Sequence, residues 1–233
     1  CISIFLCGII AFFFKDFIFD TLIFGPKKID FVTYRFFCDL SKNIWDSNIF
    51  CITELPFRIQ SRTVAGQFSA HLWTSILAGF IIAFPYVIYE FWKFVSPGLH
   101  KNEKKNARWF IFSSSILFFA GILFGYYVVT PLSVNFLGSY SVSNDIFNDF
   151  DLSSYIGLVR ASVLASGLIF ELPIIIYFLT KVGMVTPVFL KKNRKYALVI
   201  VLSIAGIFSR PDVFSQIIVS IPILIVFEIS IFI

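Results

Sequence analysis

Apolar residues recur in long blocks from one end of the chain to the other, with short polar segments between them. The blocks cover residues 1–14, about 68–92, 109–131, 154–179 and 213–233, and a sixth, 197–208, is shorter. A helix needs about 20 mostly apolar residues to cross a hydrocarbon core about 30 Å thick. The pattern therefore predicts an all-α membrane protein with six transmembrane helices, in a single transmembrane domain over residues 1–233.

Two of these blocks differ from ordinary spans. The first starts at Cys1 inside an apolar run, with no basic segment before it and no small-residue cleavage site after it, so it does not resemble a signal peptide. We expect a transmembrane helix truncated at its N-terminus. A helix over 197–208 would be about 18 Å long at 1.5 Å per residue. The last two helices are therefore expected to form a short hairpin, where either the bilayer thins or the turn sinks into protein.

The polar segments sort by charge. Segments 93–108 and 181–195 are strongly basic, whereas 132–153 carries only acidic charges. The positive-inside rule places the two basic segments in the cytoplasm and 132–153 on the exported side. Alternation of the spans then places residues 15–67 on the exported side and both termini in the cytoplasm.

Composition supports the membrane class. Apolar residues make up 58% of the chain and charged residues 14%, with a mean hydropathy of +0.87. Soluble domains carry about 25% charged residues. Two histidines and one methionine leave little material for metal or general-base chemistry, so we expect no enzyme, cofactor or metal site. The net charge of +5 follows from basic cytoplasmic loops, not from a nucleic-acid surface.

Residues 15–67 contain two cysteines, Cys38 and Cys51. Thiols on the exported side of a membrane oxidise readily, which favours a disulfide between them; two free thiols are the alternative. Loop closure gives such a bridge a stabilisation of about 3 kcal/mol. Cys1 and Cys7 fall in the first helix and fit apolar packing.

Ionisable residues inside predicted spans are costly and therefore informative. Glu171 stands alone among apolar neighbours, and Pro173 frees a backbone carbonyl nearby. This pair predicts a polar site within the bilayer; a buried carboxyl that only packs is the alternative. Glu90 and Glu228 also fall within predicted spans, but Glu90 could reach the cytoplasm and Glu228 could pair with a basic loop residue.

The first basic segment contains one acid, Glu103, next to Lys104 and close to Lys101. A carboxylate can accept paired hydrogen bonds from a guanidinium group, so Glu103 is a candidate ligand for a cationic peptide, or else an ordinary surface charge. Phe94 and Pro97 precede it in a segment typical of an ordered turn.

Several stretches resemble a known family. They are FPYVIYEFWKFVSPGLHKNEKK (84–105), SSSILFFAGILFGYYVVTP (113–131), SGLIFELP (166–173), and SRPDVFSQ followed by IPILIVFEIS (209–230). In this order they resemble TatC, the multi-spanning subunit of the twin-arginine protein translocase. The resemblance covers most of the chain from about residue 64 to the end.

The resemblance implies a concave bundle of six helices in the bacterial cytoplasmic (inner) membrane. It implies binding of twin-arginine signal peptides of folded cargo on the cytoplasmic face and recruitment of single-spanning TatA- and TatB-type partners in a multi-copy complex. The proton-motive force would drive transport, and membrane lipid would surround the bundle.

The resemblance also implies roles for individual residues. Glu103 would bind the signal arginines, in a site shaped by Phe94 and Pro97 with Lys101 beside it. Glu171 would be a polar group on the concave face. Pro26, Asp212 and Gln216 would support the outer cap and partner contacts. Apart from the resemblance, the positions of Glu90 and Glu228 within the predicted spans make them candidates for intramembrane contacts with partners, and Pro173 is a candidate structural residue.

Two other classes of protein compete with this interpretation. A proton-coupled secondary transporter would use Glu171 as its ion or substrate site. Such transporters often contain inverted repeats with interrupted helices at matching positions, and no such repeat is apparent in the sequence. In a purely structural membrane scaffold, Glu171 and Glu103 would have no functional role.

Overall fold

The structure, a computed structural model, is mostly helical. It describes residues 2–28, 30–45, 57–96, 107–139 and 148–181, together with residues 199, 203, 220–222, 224–225 and 228. Most of the two blocks predicted to form the final hairpin, 197–208 and 213–233, therefore lies outside the described residues.

Three helical stretches are long and apolar enough to cross a membrane. They are Gly66–Phe94, Trp109–Ser139 and Leu152–Thr180. A fourth candidate is Ile2–Phe13 together with Phe17–Ile23, which bends by 86° between the two helices. The prediction of a helical protein with several spans is confirmed, whereas the count of six stays a prediction.

The helices of the first part of the chain are α1 (Ile2–Phe13), a π-helix (Phe17–Ile23), a 3-10 turn (Gly25–Lys27) and α2 (Val32–Trp45). After strand β1 (Phe57–Gln60) come α3 (Gly66–Val95), α4 (Ala107–Phe124), a second π-helix (Gly125–Val129) and α5 (Thr130–Ser139). Strand β2 (Asn148–Asp151), α6 (Leu152–Phe170) and α7 (Leu172–Lys181) follow.

The chain divides into two compact units. Unit 1 contains residues 1–81 and 125–163, and unit 2 contains residues 82–124 and 164–233.

Side-chain hydroxyl groups satisfy freed backbone carbonyls in unit 1. The hydroxyl of Tyr34 donates to the carbonyl oxygens of Pro26, at 2.9 Å, and Pro131, at 3.1 Å. Tyr155 donates to the carbonyl of Ile23 at 2.9 Å. Burial, and then the neighbouring Tyr155, raises the pKa of Tyr34, which keeps this hydroxyl protonated and able to donate. These bonds attach the turn at residues 23–26 to the rest of unit 1.

Pro131 explains one difference from the predicted spans. A proline lacks an N–H, so the carbonyl of Tyr127, four residues earlier, has no helical donor from Pro131. Thr33 donates its hydroxyl to that carbonyl, and Thr130 donates to the carbonyl of Gly125 at 2.8 Å. The helix therefore continues through the proline, past the predicted end at residue 131, to Ser139.

The segment 15–67 is more ordered than a loop. It contains α2 and β1, and β1 pairs in parallel with β2, with Phe57 opposite Asn148 and Gln60 opposite Asp151. Cys38 lies on α2 and forms a disulfide, whereas Cys7 is free. The second sulfur of that disulfide lies outside the described residues, as Cys51 does, so the pairing of Cys38 with Cys51 stays a prediction.

Asp151 joins the strand pair to α6. Its Oδ1 accepts from the backbone N–H of Arg62 at 3.3 Å, and its Oδ2 accepts from that of Ser153 at 3.0 Å, in the first turn of α6. The Arg62 amide, followed by the amides of Ser153 and Ser154, holds the pKa of Asp151 below its usual value. Asp151 therefore acts as the N-terminal cap of this helix.

The hydroxyl of Tyr34, which is shared between two carbonyl acceptors, leads to a testable prediction. Tyr34→Phe keeps the ring but leaves two buried carbonyls without this donor, which we expect to lower the free energy of unfolding by about 1–3 kcal/mol. The measurement is unfolding of the detergent-solubilised protein, with Tyr89→Phe as the control because the side chain of Tyr89 is 48% exposed. Equal stability of the two variants would contradict this role.

Candidate functional site

Glu171 occupies a break within an apolar helical stretch of unit 2. Helix α6 ends at Phe170 and α7 begins at Leu172, so Glu171 is the one residue between them. Its carbonyl accepts hydrogen bonds from the amides of Ile174 and Ile175, both at 3.0 Å. Pro173 is buried in the first turn of α7, where a missing N–H costs least. The sequence prediction of a carboxyl beside a proline-interrupted turn matches this geometry.

The carboxyl group of Glu171 is buried, with only 6% of the residue exposed. Its Oε2 accepts a 2.7 Å hydrogen bond from the hydroxyl of Ser114, which is itself fully buried. Its Oε1 is equally buried and has no hydrogen-bond partner among the residues that the structure describes. A buried oxygen without a donor is unfavourable, so this half of the carboxyl would be stabilised by a further hydrogen-bond donor.

Close backbone packing brings α4 and α6 together near this site. A Cβ atom on Gly121 would lie 2.6 Å from the carbonyl oxygen of Ser166 and 2.8 Å from the Cα of Gly167. A Cβ on Gly167 would lie 2.9 Å from the ring of Phe118. Small residues of this kind let membrane helices approach closely. The glycines thus hold the two helices near enough for Ser114 to reach Glu171.

Aromatic side chains pack around the same helices. Phe118 is fully buried and stacks on Phe84, with ring centroids 3.5 Å apart, and Phe124 packs against Phe170 at 5.5 Å. These rings bury apolar surface and supply no hydrogen-bond donors. The polar character of the region therefore comes from Glu171 and Ser114.

The other predicted span residues do not join this group. Glu90 is exposed on α3 and accepts a hydrogen bond from Tyr86, one turn earlier. Glu228 is half-buried. Phe94, near the end of α3, is 84% exposed. Pro26 is fully buried in unit 1, where its carbonyl accepts from Tyr34.

Several predicted site residues lie outside the described residues. They are Pro97, Lys101, Glu103, Cys51, Asp212 and Gln216. Their predicted roles in signal-peptide binding, in the outer cap and in partner contacts stay predictions. The part of the chain that the structure describes contains no cluster of His, Cys, Asp and Glu side chains that could hold a metal ion.

Comparison with known proteins identifies the family. A family model described as Sec-independent protein translocase protein (TatC) matches residues 1–222. The TatC protein of Blattabacterium sp. subsp. Periplaneta americana (strain BPLAN) is 43% identical over 220 residues, which is 94% of this chain and 83% of that protein. The chain belongs to the TatC family. The TatC protein of Desulforapulum autotrophicum is 41% identical over 70% of this chain and 60% of its own length.

A solved structure agrees with this assignment. The crystal structure of the twin-arginine translocase receptor TatC in DDM superposes with a TM-score of 0.74 and 30% sequence identity, over 99% of this chain and 92% of that one. TatC proteins are named as components of a protein translocase and not as enzymes. The sequence-based expectations of a non-enzymatic protein-transport function and of TatC membership are therefore confirmed.

Sequence reasoning missed Ser114 as the partner of Glu171. Ser114 lies 57 positions earlier in the chain, inside a run of three serines in an apolar block. Three adjacent serines in a predicted span point in different directions around a helix. The sequence therefore indicates that this TatC span carries hydroxyl groups, but which serine contacts Glu171 depends on the register of α4 against α6.

The three serines supply a matched test of this contact. Ser114→Ala leaves Oε2 of Glu171 without its donor, and we expect the free energy of unfolding to fall by about 1 kcal/mol. Ser115→Ala should change it by less than about 0.5 kcal/mol, because the hydroxyl of Ser115 bonds to the Ile111 carbonyl of its own helix. Thermal unfolding of both variants in the same detergent measures the difference. Equal losses in the two variants would show that the Ser114 hydroxyl contributes nothing specific.

Proposed function

We propose that this protein is the core receptor subunit of a twin-arginine translocase in the bacterial inner membrane. It binds twin-arginine signal peptides on its cytoplasmic face, recruits single-spanning TatA- and TatB-type partners in a multi-copy complex, and exports folded proteins at the expense of the proton-motive force. Both termini lie in the cytoplasm. Membership of the TatC family and the similarity to a solved twin-arginine translocase receptor support this proposal.

The observation that carries the partner-binding role is the buried carboxyl of Glu171. One of its oxygens is bonded to Ser114 and the other has no donor among the described residues. A polar residue on the transmembrane helix of a partner would supply that donor. Because a polar group in hydrocarbon is unfavourable, both helices would gain from the pairing. Gln216 and Glu228 are proposed as further partner contacts.

The proposed signal-binding surface begins where α3 ends. Phe94 exposes 84% of its surface in the last turn of that helix, next to the segment that carries Pro97, Lys101 and Glu103. An exposed phenylalanine can contact the apolar part of a signal peptide, whereas Glu103 can accept bidentate hydrogen bonds from an arginine guanidinium. Phe94 would thus contact the apolar part of a twin-arginine signal, and Glu103 would contact its arginines.

A proton-coupled secondary transporter is not favoured. It would require substrate or ion ligands converging on Glu171. Among the described residues, only the Ser114 side chain is hydrogen-bonded to that carboxyl. The similar proteins are named as translocase components.

The signal-binding role is tested at Glu103. Glu103→Ala removes the proposed partner of the signal arginines, so we expect the dissociation constant for a twin-arginine signal peptide to rise at least about tenfold, since a charge-assisted hydrogen bond contributes about 1.5–3 kcal/mol. Glu103→Asp should have a smaller effect because it keeps the charge. Peptide binding to the protein in nanodiscs measures both.

Glu54→Ala is the control, because Glu54 lies in the segment predicted on the exported side. A signal peptide in which both arginines are replaced by lysine should lose less affinity on Glu103→Ala than the native peptide does. Unchanged binding by folded Glu103→Ala would refute the proposed site.

The partner-binding role is tested at Glu171. Glu171→Gln keeps an acceptor for Ser114 and should retain partial export, whereas Glu171→Leu should fold but fail to recruit its partners. A photo-crosslinker at residue 171 should label a partner helix during transport. The same crosslinker at Leu168, which is 48% exposed, serves as the comparison and should label mainly lipid. Labelling of lipid alone from residue 171, with full export by Glu171→Leu, would leave Glu171 as a packing residue.

A further inference from the structure

Unit 1 contains an open cavity of about 860 Å³ that the translocase function does not use. Residues 15–28, which include the first π-helix and the turn after it, and the first turns of α3 form its walls, with contributions from β1 and the start of α6. Its lining residues are Lys15, Asp16, Phe19, Asp20, Phe24, Lys27, Lys28, Ile59, Ser61, Gln67, Phe68, His71 and Leu152. The volume is in the range of small-molecule sites.

Charges of both signs line this cavity without neutralising one another. Three lysines, Lys15, Lys27 and Lys28, share it with two acids, Asp16 and Asp20. Among the described residues, no ion pair joins any of these lysines to a carboxylate. The ammonium group of Lys28 donates a hydrogen bond to the backbone carbonyl of Asp20, at 3.4 Å. Ammonium and carboxylate groups are thus both available to a ligand.

The wall of the cavity is held in a fixed position by His71. Its ring stacks on Phe12 with centroids 4.1 Å apart and an interplanar angle of 16°, and its Nε2 is 3.1 Å from the carbonyl oxygen of Phe12. The edge of the same ring meets Phe19 at 5.6 Å. These contacts link α1 and the π-helix to α3, so the site exists before a ligand binds.

The cavity lies at the ends of apolar helices. Helix α1 ends at Phe13, and α3 begins at Gly66. Around the cavity, Phe14 is 62%, Phe17 is 59% and Phe68 is 64% exposed. Exposed aromatic side chains beside charged groups are typical of the interface between the hydrocarbon core and the lipid headgroups. A ligand here would meet charged groups and an apolar surface together.

We propose that this cavity binds the headgroup of a membrane phospholipid that carries both a phosphate and a primary ammonium group. The lysines contact the phosphate, and Asp16 and Asp20 contact the ammonium group. The acyl chains follow the exposed side chains of Phe14, Phe17 and Phe68. A phospholipid fits better than free phosphate because free phosphate would leave the two carboxylates and the apolar surface without contacts. The headgroup would hold the bent N-terminal helices at the start of α3.

Lipid binding to the full chain in detergent micelles tests this proposal. Native mass spectrometry with equal amounts of phosphatidylethanolamine, phosphatidylglycerol and phosphatidylcholine should show a preference for phosphatidylethanolamine. Lys15→Gln/Lys28→Gln should reduce that binding at least about fivefold. Asp16→Asn/Asp20→Asn should remove the preference for phosphatidylethanolamine over phosphatidylcholine while leaving binding of the phosphate.

Lys42→Gln/Lys93→Gln removes two exposed lysines outside the cavity and should leave lipid binding unchanged. Circular dichroism and size-exclusion profiles establish that each variant is folded. Equal binding of the three lipids by the wild type would overturn the proposal, as would equal losses in the cavity and control lysine variants. Binding of inorganic phosphate in place of lipid would also overturn it and assign the cavity to a free anion.

Discussion

A backbone carbonyl that loses its helical donor inside an apolar protein must find another donor, and this requirement organises unit 1. Pro131 cannot donate to the carbonyl of Tyr127, and the hydroxyl of Thr33 takes that place. Tyr34 then donates to the carbonyls of Pro26 and Pro131 together. Tyr34, Pro26 and Pro131 are buried within the protein, so side chains must supply the hydrogen bonds that solvent supplies at an exposed turn. The turn at Pro26 and the helix that runs through Pro131 are stabilised by these donors.

Unit 2 follows the same rule with one exception. The carbonyl of Glu171 is bonded within its helix, and Oε2 is bonded to Ser114, but Oε1 is buried without a donor among the described residues. Among the other described residues, the hydroxyl of Ser133 is also buried without a partner, so an unsatisfied atom alone does not identify a functional site. A carboxyl oxygen is the costlier of the two to leave unpaired, which favours a functional explanation for Glu171.

The spans and the polar group inside them could be predicted from the sequence because both depend on local properties. Length and hydropathy fix which segments can cross a membrane, and Glu171 and Pro173 are conspicuous in an apolar block. The contacts of Tyr34 and Ser114 could not be predicted, because they join residues 97 and 57 positions apart. The helix after residue 131 was also missed, since a proline ordinarily marks a helix end and its compensation by Thr33 is visible only in three dimensions. The identities of the donors are in the sequence, but their partners are set by packing.

The geometry of the carboxyl also bears on how a partner helix would be held. Gly121 and Gly167 set the separation of α4 and α6, so the Ser114 bond depends on backbone contact and not on flexible side chains. A carboxyl group offers acceptor positions on both oxygens, and Ser114 occupies only Oε2. A donor from a partner could therefore bond to Oε1 without displacing Ser114. Docking would then add a hydrogen bond in a low-dielectric setting without breaking one, and release would leave the site as it was. Because Oε1 is itself buried, side chains around it would have to move to admit the partner, while the Ser114 bond could persist in both states.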